Sequence, residues 1–280
     1  MTAGAWARSA PSAITAAVIV IVGTLMLLGE WAAPLRASVE SKLRRVARNL
    51  TTGALSLVVS NLLQPLLLLP VVMWGERHGI GLLHLVQWPR WAELLIAVVL
   101  LDYTLWWWHR ATHRVPFLWR FHLVHHVDRD LDTTTALRFH FGEMALSIPY
   151  RVFQVLLIGV DSRGLWLWQT ILFGSILFHH ANVRLPERFE RVLVRLIVTP
   201  RMHGIHHGDI REETDSNWSS LLSAWDFLHR TSRLDVPQES ITIGVPAYDD
   251  PDGVTLGKIL ALPFQRQRND WSRTGNGANE

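Results

Sequence analysis

Apolar residues in this chain come in blocks separated by short charged stretches. Residues 12–29 (SAITAAVIVIVGTLMLLG) and 54–74 (ALSLVVSNLLQPLLLLPVVMW) carry no charged side chain. As helices they are long enough to cross a hydrocarbon core of roughly 30 Å. Residues 91–108 (WAELLIAVVLLDYTLWWW) predict a third crossing. Residues 144–178, broken at the DSRG of 161–164, predict a shorter helical hairpin that dips in and returns. The pattern is that of an all-α integral membrane bundle with about three transmembrane helices plus the hairpin. Arg8 followed by an apolar run resembles a signal peptide, but the run is long and its cleavage site weak, so it reads as a retained helix.

Charge orients the bundle. Residues 35–50 carry Arg36, Lys42, Arg44, Arg45 and Arg48, whereas the loop 75–90 carries only Arg77 and Arg90. By the positive-inside bias the first loop is cytoplasmic. The 91–108 helix then delivers His109 to the cytoplasmic side, and the hairpin returns His179 and His180 to it. In residues 186–198 (PERFERVLVRLIV), Phe189, Val192, Leu193, Leu196 and Ile197 recur at helical spacing opposite charged residues, which predicts an amphipathic helix in the membrane interface. The organisation expected is residues 1–94 as N-terminal transmembrane helices, 95–232 as the histidine-bearing unit and 233–280 as a polar tail, with NDWSRTGNGANE at its end disordered.

Composition narrows the chemistry. The 280 residues are 49% hydrophobic and include fourteen Trp, which suits the aromatic belts of a bilayer. There is no cysteine, so disulfides, thiolate metal sites and a resident iron–sulfur cluster are excluded. The net charge of +3 lies at the flanks of apolar blocks, where headgroups are met, and no nucleic-acid motif accompanies it.

Histidine is the informative residue. His109 and His113 stand four apart, one helical turn. His122, His125 and His126 form H-x-x-H-H, and His203, His206 and His207 repeat it. Neutral imidazole binds iron, zinc, copper or nickel, and eight are too many for one ion, so two metals are the economical reading. His140 (LRFHFGE) and His180 (FHHANV) are single candidates to complete the shells. Glu143, Asp128, Asp130, Asp132, Asp209 and Asp215 read as acceptors that orient the imidazoles through their other nitrogen. Asp102, inside an apolar helix, needs a partner, either a histidine or Arg138.

HRATH, HLVHH and HGIHH, in this order after a membrane helix, resemble the three histidine boxes of the fatty acid hydroxylase / sterol desaturase superfamily of membrane di-iron oxygenases. DLDTTTALRFHFGE, FHHANV and TDSNWSSLLSAWDFLHRT resemble segments of bacterial members, and the resemblance spans about residues 95–232. It implies a cytosolic-side di-iron centre held by His109, His113, His122, His125, His126, His203, His206 and His207, with His140 and His180 beside them. It also implies O2 as co-substrate and hydroxylation or desaturation of a lipid such as a sterol, fatty acyl chain or isoprenoid. The family's last segment usually ends in Gly-Thr after Trp-Asp-x-Leu-x; here WDFLHRT has Arg230 before Thr231.

Turnover needs two electrons. The chain has neither a dinucleotide fingerprint nor cysteines for a cluster, so a separate donor is expected, a ferredoxin or a b-type cytochrome with its reductase. The basic loop 36–48 is a candidate to dock it or to meet lipid. Two other classes remain: a histidine-ligated zinc protein with a structural or hydrolytic role, and a metal transporter, whose ligands would be spread through membrane depth.

Overall fold

The computed structural model describes residues 3–268, 270 and 271. Most of the stretch expected to be disordered, Asn269 and 272–280, lies outside the described residues. Among the described residues every regular element is helical, with only isolated β-bridges such as Ile197 to Leu222.

Helix α1 is Ala3–Ala32, α2 Lys42–Leu63, α3 Leu69–His78, α4 Arg90–Arg114, α5 Pro116–His126, α6 Phe141–Ile158 and α7 Ser162–His180. Four segments are long and apolar enough to cross a membrane: Ala13–Ala32, Lys42–Leu85, Arg90–Arg114 and Phe141–Ile158. The last is the first arm of the expected hairpin, and it proves to be of spanning length. Helices α2 and α3 run on through a π-helical turn at Gln64–Leu68, where Pro65 and Pro70 remove backbone donors. At about 1.5 Å per residue this run exceeds the bilayer core, so the first turns of α2 project beyond it. That projection sets Arg45, Arg48 and Asn49 beside the loop that follows α5.

The core of the spanning region gathers Leu68, Val72, Leu101, Val155, Ile158, Trp168 and Leu172 from α3, α4, α6 and α7. Val20, Ile21, Leu25, Leu57 and Leu62 on α1 and α2 stay exposed, as lipid-facing side chains should. At the far end the turn between α6 and α7 presses onto the loop after α3. Gly159 sits at φ +80°, and a Cβ on Gly81 would come within 2.2 Å of its nitrogen. Asp161 caps α7 through Gly164 N at 2.8 Å and takes Arg90 at 2.5 Å.

At the near end the chain returns in short pieces: α8 Glu187–Leu193, α9 Pro200–His206, α10 Arg211–Thr214 and α11 Ala224–His229. Helix α8 ends earlier than its apolar spacing predicts. Phe189, Val192 and Leu196 are exposed as an interfacial face requires, while Glu190, on the expected polar face, is buried. Helix α12, Leu256–Ala261, and its neighbours fold back so that Val245, Tyr248, Ile259, Leu262 and Trp271 pack on Leu123, Val124 and Val127 of the α5 region.

Candidate metal centre

The turn between α4 and α5 first draws the histidines together. Val115 is held extended by the proline that follows it, and Pro116 starts α5 at the position where a missing N–H costs nothing. Helix α4 therefore ends on His109 and His113 as α5 opens toward His122, His125 and His126. Helix α9 starts the same way: Pro200 is its first residue and the Thr199 hydroxyl caps Met202 N at 3.3 Å. Its seven residues carry His203 and His206, and His207 closes it.

The imidazoles sort into two groups, each offering its donor atoms within 4.8 Å of one another from buried positions. The first is His109, His113, His122, His126 and His206; the second is His125, His180, His203 and His207. The groups adjoin, with the rings of His126 and His207 stacked at 4.3 Å and 14°. All eight box histidines and His180 are thus brought together.

In the first group three outward nitrogens are anchored. His109 Nδ1 donates to the Trp218 carbonyl at 2.7 Å, His206 Nδ1 to the Ser216 carbonyl at 2.7 Å, and His122 Nδ1 to Glu143 Oε1 at 2.9 Å. His113 Nδ1 stands 3.8 Å from Asp215. The inward Nε2 atoms of His113, His122, His126 and His206 have no partner. In the second group His180 Nδ1 donates to the Ile176 carbonyl at 2.8 Å, which leaves a lone pair on its Nε2. That atom lies 3.0 Å from His125 Nε2 and 3.1 Å from His203 Nε2, which is 3.1 Å from His207 Nε2. Without a cation, two of these three contacts would have to share the one proton of His203.

Burial is the first cause, and neighbouring imidazoles the second, that pushes the pKa of His125, His126, His203 and His207 well below the ordinary value. Burial drives His206 down to about 3 against the pull of the Ser216 carbonyl. These rings are neutral at physiological pH, the form that ligates a metal. The donor set fits iron. It is made of neutral imidazoles, with no cysteine anywhere in the chain to supply the thiolates common in structural zinc sites.

Other side chains fall outside this arrangement. His140 is brought to neither group: it is the N-cap of α6, accepting from Gly142 N at 2.9 Å, with Nε2 at 3.2 Å from the Leu260 carbonyl. His179 lies against the His203 ring at 4.1 Å but belongs to neither donor set. Asp102 pairs with neither a histidine nor Arg138. It accepts from Leu222 N at 3.0 Å and Trp225 Nε1 at 2.7 Å.

The basic stretch 36–48 is largely turned inward. Arg45, 2% exposed, meets Asp128 at 3.0 Å and also Asp132, while Arg48 takes Glu40 at 2.8 Å and Asp128 at 3.6 Å. Arg138 reaches Asp128 at 3.5 Å, Asn49 at 3.0 Å and the Val124 carbonyl at 2.8 Å. Three of the expected imidazole acceptors, Asp128, Asp130 and Asp132, are thus committed to guanidinium groups. Arg36 lies against Gly204 of the HGIHH box, where any Cβ would collide with it, and its Nη2 donates to Gln238 at 2.9 Å. Lys42 and Arg44 remain exposed in this stretch.

Residues 94–231 match the fatty acid hydroxylase family. The chain is 29% identical over 184 residues to the ornithine lipid hydroxylase OlsE of Rhizobium tropici, covering 65% of this chain and 53% of that protein. It is 28% identical over 171 residues to the alkylglycerol monooxygenase of Xenopus tropicalis, covering 58% and 34%. The human alkylglycerol monooxygenase is 26% identical over 154 residues, covering 51% and 31%. The matched part therefore spans 31% to 53% of these relatives' length. No solved structure matches the chain.

Proposed function

Because the chain belongs to the fatty acid hydroxylase family through residues 94–231, we propose that it is a membrane di-iron oxygenase that hydroxylates a C–H bond of a lipid. The observation that carries this reading is the pair of adjoining imidazole groups whose inward nitrogens converge, without a partner on four rings of the first group and with only one another for partners in the second. Buried polar atoms left unsatisfied in this number need a ligand, and imidazoles offered this way call for a metal. The relatives, an ornithine lipid hydroxylase and alkylglycerol monooxygenases, favour hydroxylation over desaturation and a glycerol- or amino-acid-based lipid over a sterol.

Iron bound at both groups would supply the reduction of O2 and the breaking of the C–H bond. The balance is one lipid C–H, one O2, two electrons and two protons giving one lipid C–OH and one water, so a separate electron donor is required. This chain's own residues do the rest. Burial keeps the rings neutral, and Glu143 and the carbonyls of Ser216 and Trp218 fix which nitrogen of His122, His206 and His109 faces inward. The centre lies at the end of α4, continuous with its apolar span, so an acyl or alkyl chain reaches it from the bilayer. We place this face in the cytoplasm from the charge of the flanking loops.

The test is protein purified after growth on iron-57, assayed for metal content and Mössbauer spectrum, then given O2, a chemical reductant and candidate lipids. About two irons per chain and a lipid product gaining one oxygen are expected. Tightly bound zinc that iron does not displace would overturn the reading.

A further inference from the structure

We infer that Asp226 is a positioning residue for the first histidine group, acting through the loop Ser216–Ser219; this rests on the metal-binding reading above. Two of that group's five imidazoles, His206 from α9 and His109 from α4, are held by carbonyls two residues apart, those of Ser216 and Trp218. Between them Asn217 adopts φ +53°, a left-handed conformation tolerated by asparagine more than by most side chains. Its side chain is tied to the Met202 and Arg233 carbonyls at 3.1 and 2.8 Å. The reversal at Asn217 lets neighbouring carbonyls serve rings on two different helices.

The loop is held by one carboxylate. Asp226, fully buried, accepts at Oδ1 from Trp218 N at 3.0 Å, Trp106 Nε1 at 3.0 Å and Thr231 Oγ1 at 2.7 Å, and at Oδ2 from Ser219 N at 2.8 Å. It therefore joins the loop to α4, the helix that carries His109, and to the segment that follows α11. Trp106 is three residues before His109 on the same helix, so a shift of the loop relative to α4 is a shift of the Trp218 carbonyl relative to His109. The second group has no such tether: its one backbone anchor, the Ile176 carbonyl for His180, lies within α7.

All four contacts at Asp226 are donors. An asparagine there must turn its NH2 toward either Ser219 N–H or the three donors at Oδ1, so neither rotamer satisfies the site. Asp102 offers the matching control. It binds the same returning segment further along, at Leu222 and Trp225, through Oδ2 alone, while its Oδ1 has no partner. Asparagine at position 102 keeps both bonds.

The experiment is cobalt(II) titration of the full-length, metal-stripped protein in detergent, followed by its visible absorption, on wild type, Asp226→Asn, Asp102→Asn and Asn217→Gly. Wild type and Asp102→Asn are expected to take up two ions alike. Asp226→Asn should bind one ion as before and the other about tenfold more weakly, at the low end of what loss of an outer-sphere partner costs, with a changed spectrum for that ion. Asn217→Gly, which keeps the left-handed turn but drops its ties, should weaken the same ion by less, and it carries the test alone if Asp226→Asn does not fold. Wild-type affinity at both sites in both loop variants, or equal weakening of both sites in step with a lower melting temperature, would falsify the inference. Two-site binding without any lipid oxidation would instead remove the proposed activity and leave this inference standing.

Discussion

Two polar clusters lie buried side by side in this protein, and they are built on opposite terms. In the cluster of Arg45, Arg48 and Arg138 with Asp128, Asp130 and Asp132, each guanidinium has a carboxylate within 4 Å, and Asn49 and Thr135 donate to Asp128 Oδ2. In the histidine cluster the inward nitrogens face one another, and the acceptors that exist all sit on the outer side. The first is complete in its own charges and locks the loop after α5 to α2. The second has only imidazoles on its inner side. Burial of polar groups alone does not mark a site; lone pairs that converge and find nothing do.

The contrast breaks most sharply at a ligand. His203→Ala removes the imidazole shared by two of the short nitrogen contacts. It should cost one bound metal and all lipid oxidation, more than the roughly 10–100-fold that an outer-sphere partner is worth, with the protein still in the membrane; metal analysis and product assay check this.

The complementary break is Arg45→Met, which strands Asp132 and leaves Asp128 to Arg48 and Arg138. Leaving a buried charge unpaired costs about 3–5 kcal/mol, and this should appear as a lower unfolding midpoint while the folded fraction still binds two metals. The same cluster sets a pH signature. Burial opposes ionisation of Asp128, but Arg138, Arg45 and Arg48 outweigh it and hold the carboxyl below its usual range. The stability it contributes is full above the ordinary carboxylate value and is lost as pH falls through the lowered one. Asp128→Asn should flatten the acid limb of stability against pH.

Glu143→Gln sharpens the comparison from the other side. It should leave stability nearly unchanged while weakening one metal by about 10–100-fold, read by competition with a chelator. The smallest effect belongs to His140→Ala, which removes a helix cap worth about 1 kcal/mol and should leave the metal count at its wild-type value.

Some of this was legible in the chain and some was not, for reasons tied to particular residues. Apolar block length marked the spanning helices, because crossing a bilayer is a requirement on local sequence. Arg230 shows the limit of motif reading. It stands where the family's usual ending has glycine, and it takes the left-handed φ of +56° that glycine adopts freely, at a cost of about 1–3 kcal/mol. Charge counted along a chain says nothing of which way a side chain turns: in 36–48 only the packing of the start of α2 puts Arg45 against Asp128.

The sequence by itself determined that this is a helical membrane protein with histidines in three boxes at helical spacing, since both properties are written in neighbours a few residues apart. Tertiary structure alone decided which imidazoles are grouped together. It divided the HLVHH and HGIHH boxes between two groups, kept His180 and released His140. Adjacent residues on a helix point about 100° apart, so His125 and His126 face different centres, and the distance that closes each group is set by how α4, α5, α7 and α9 pack.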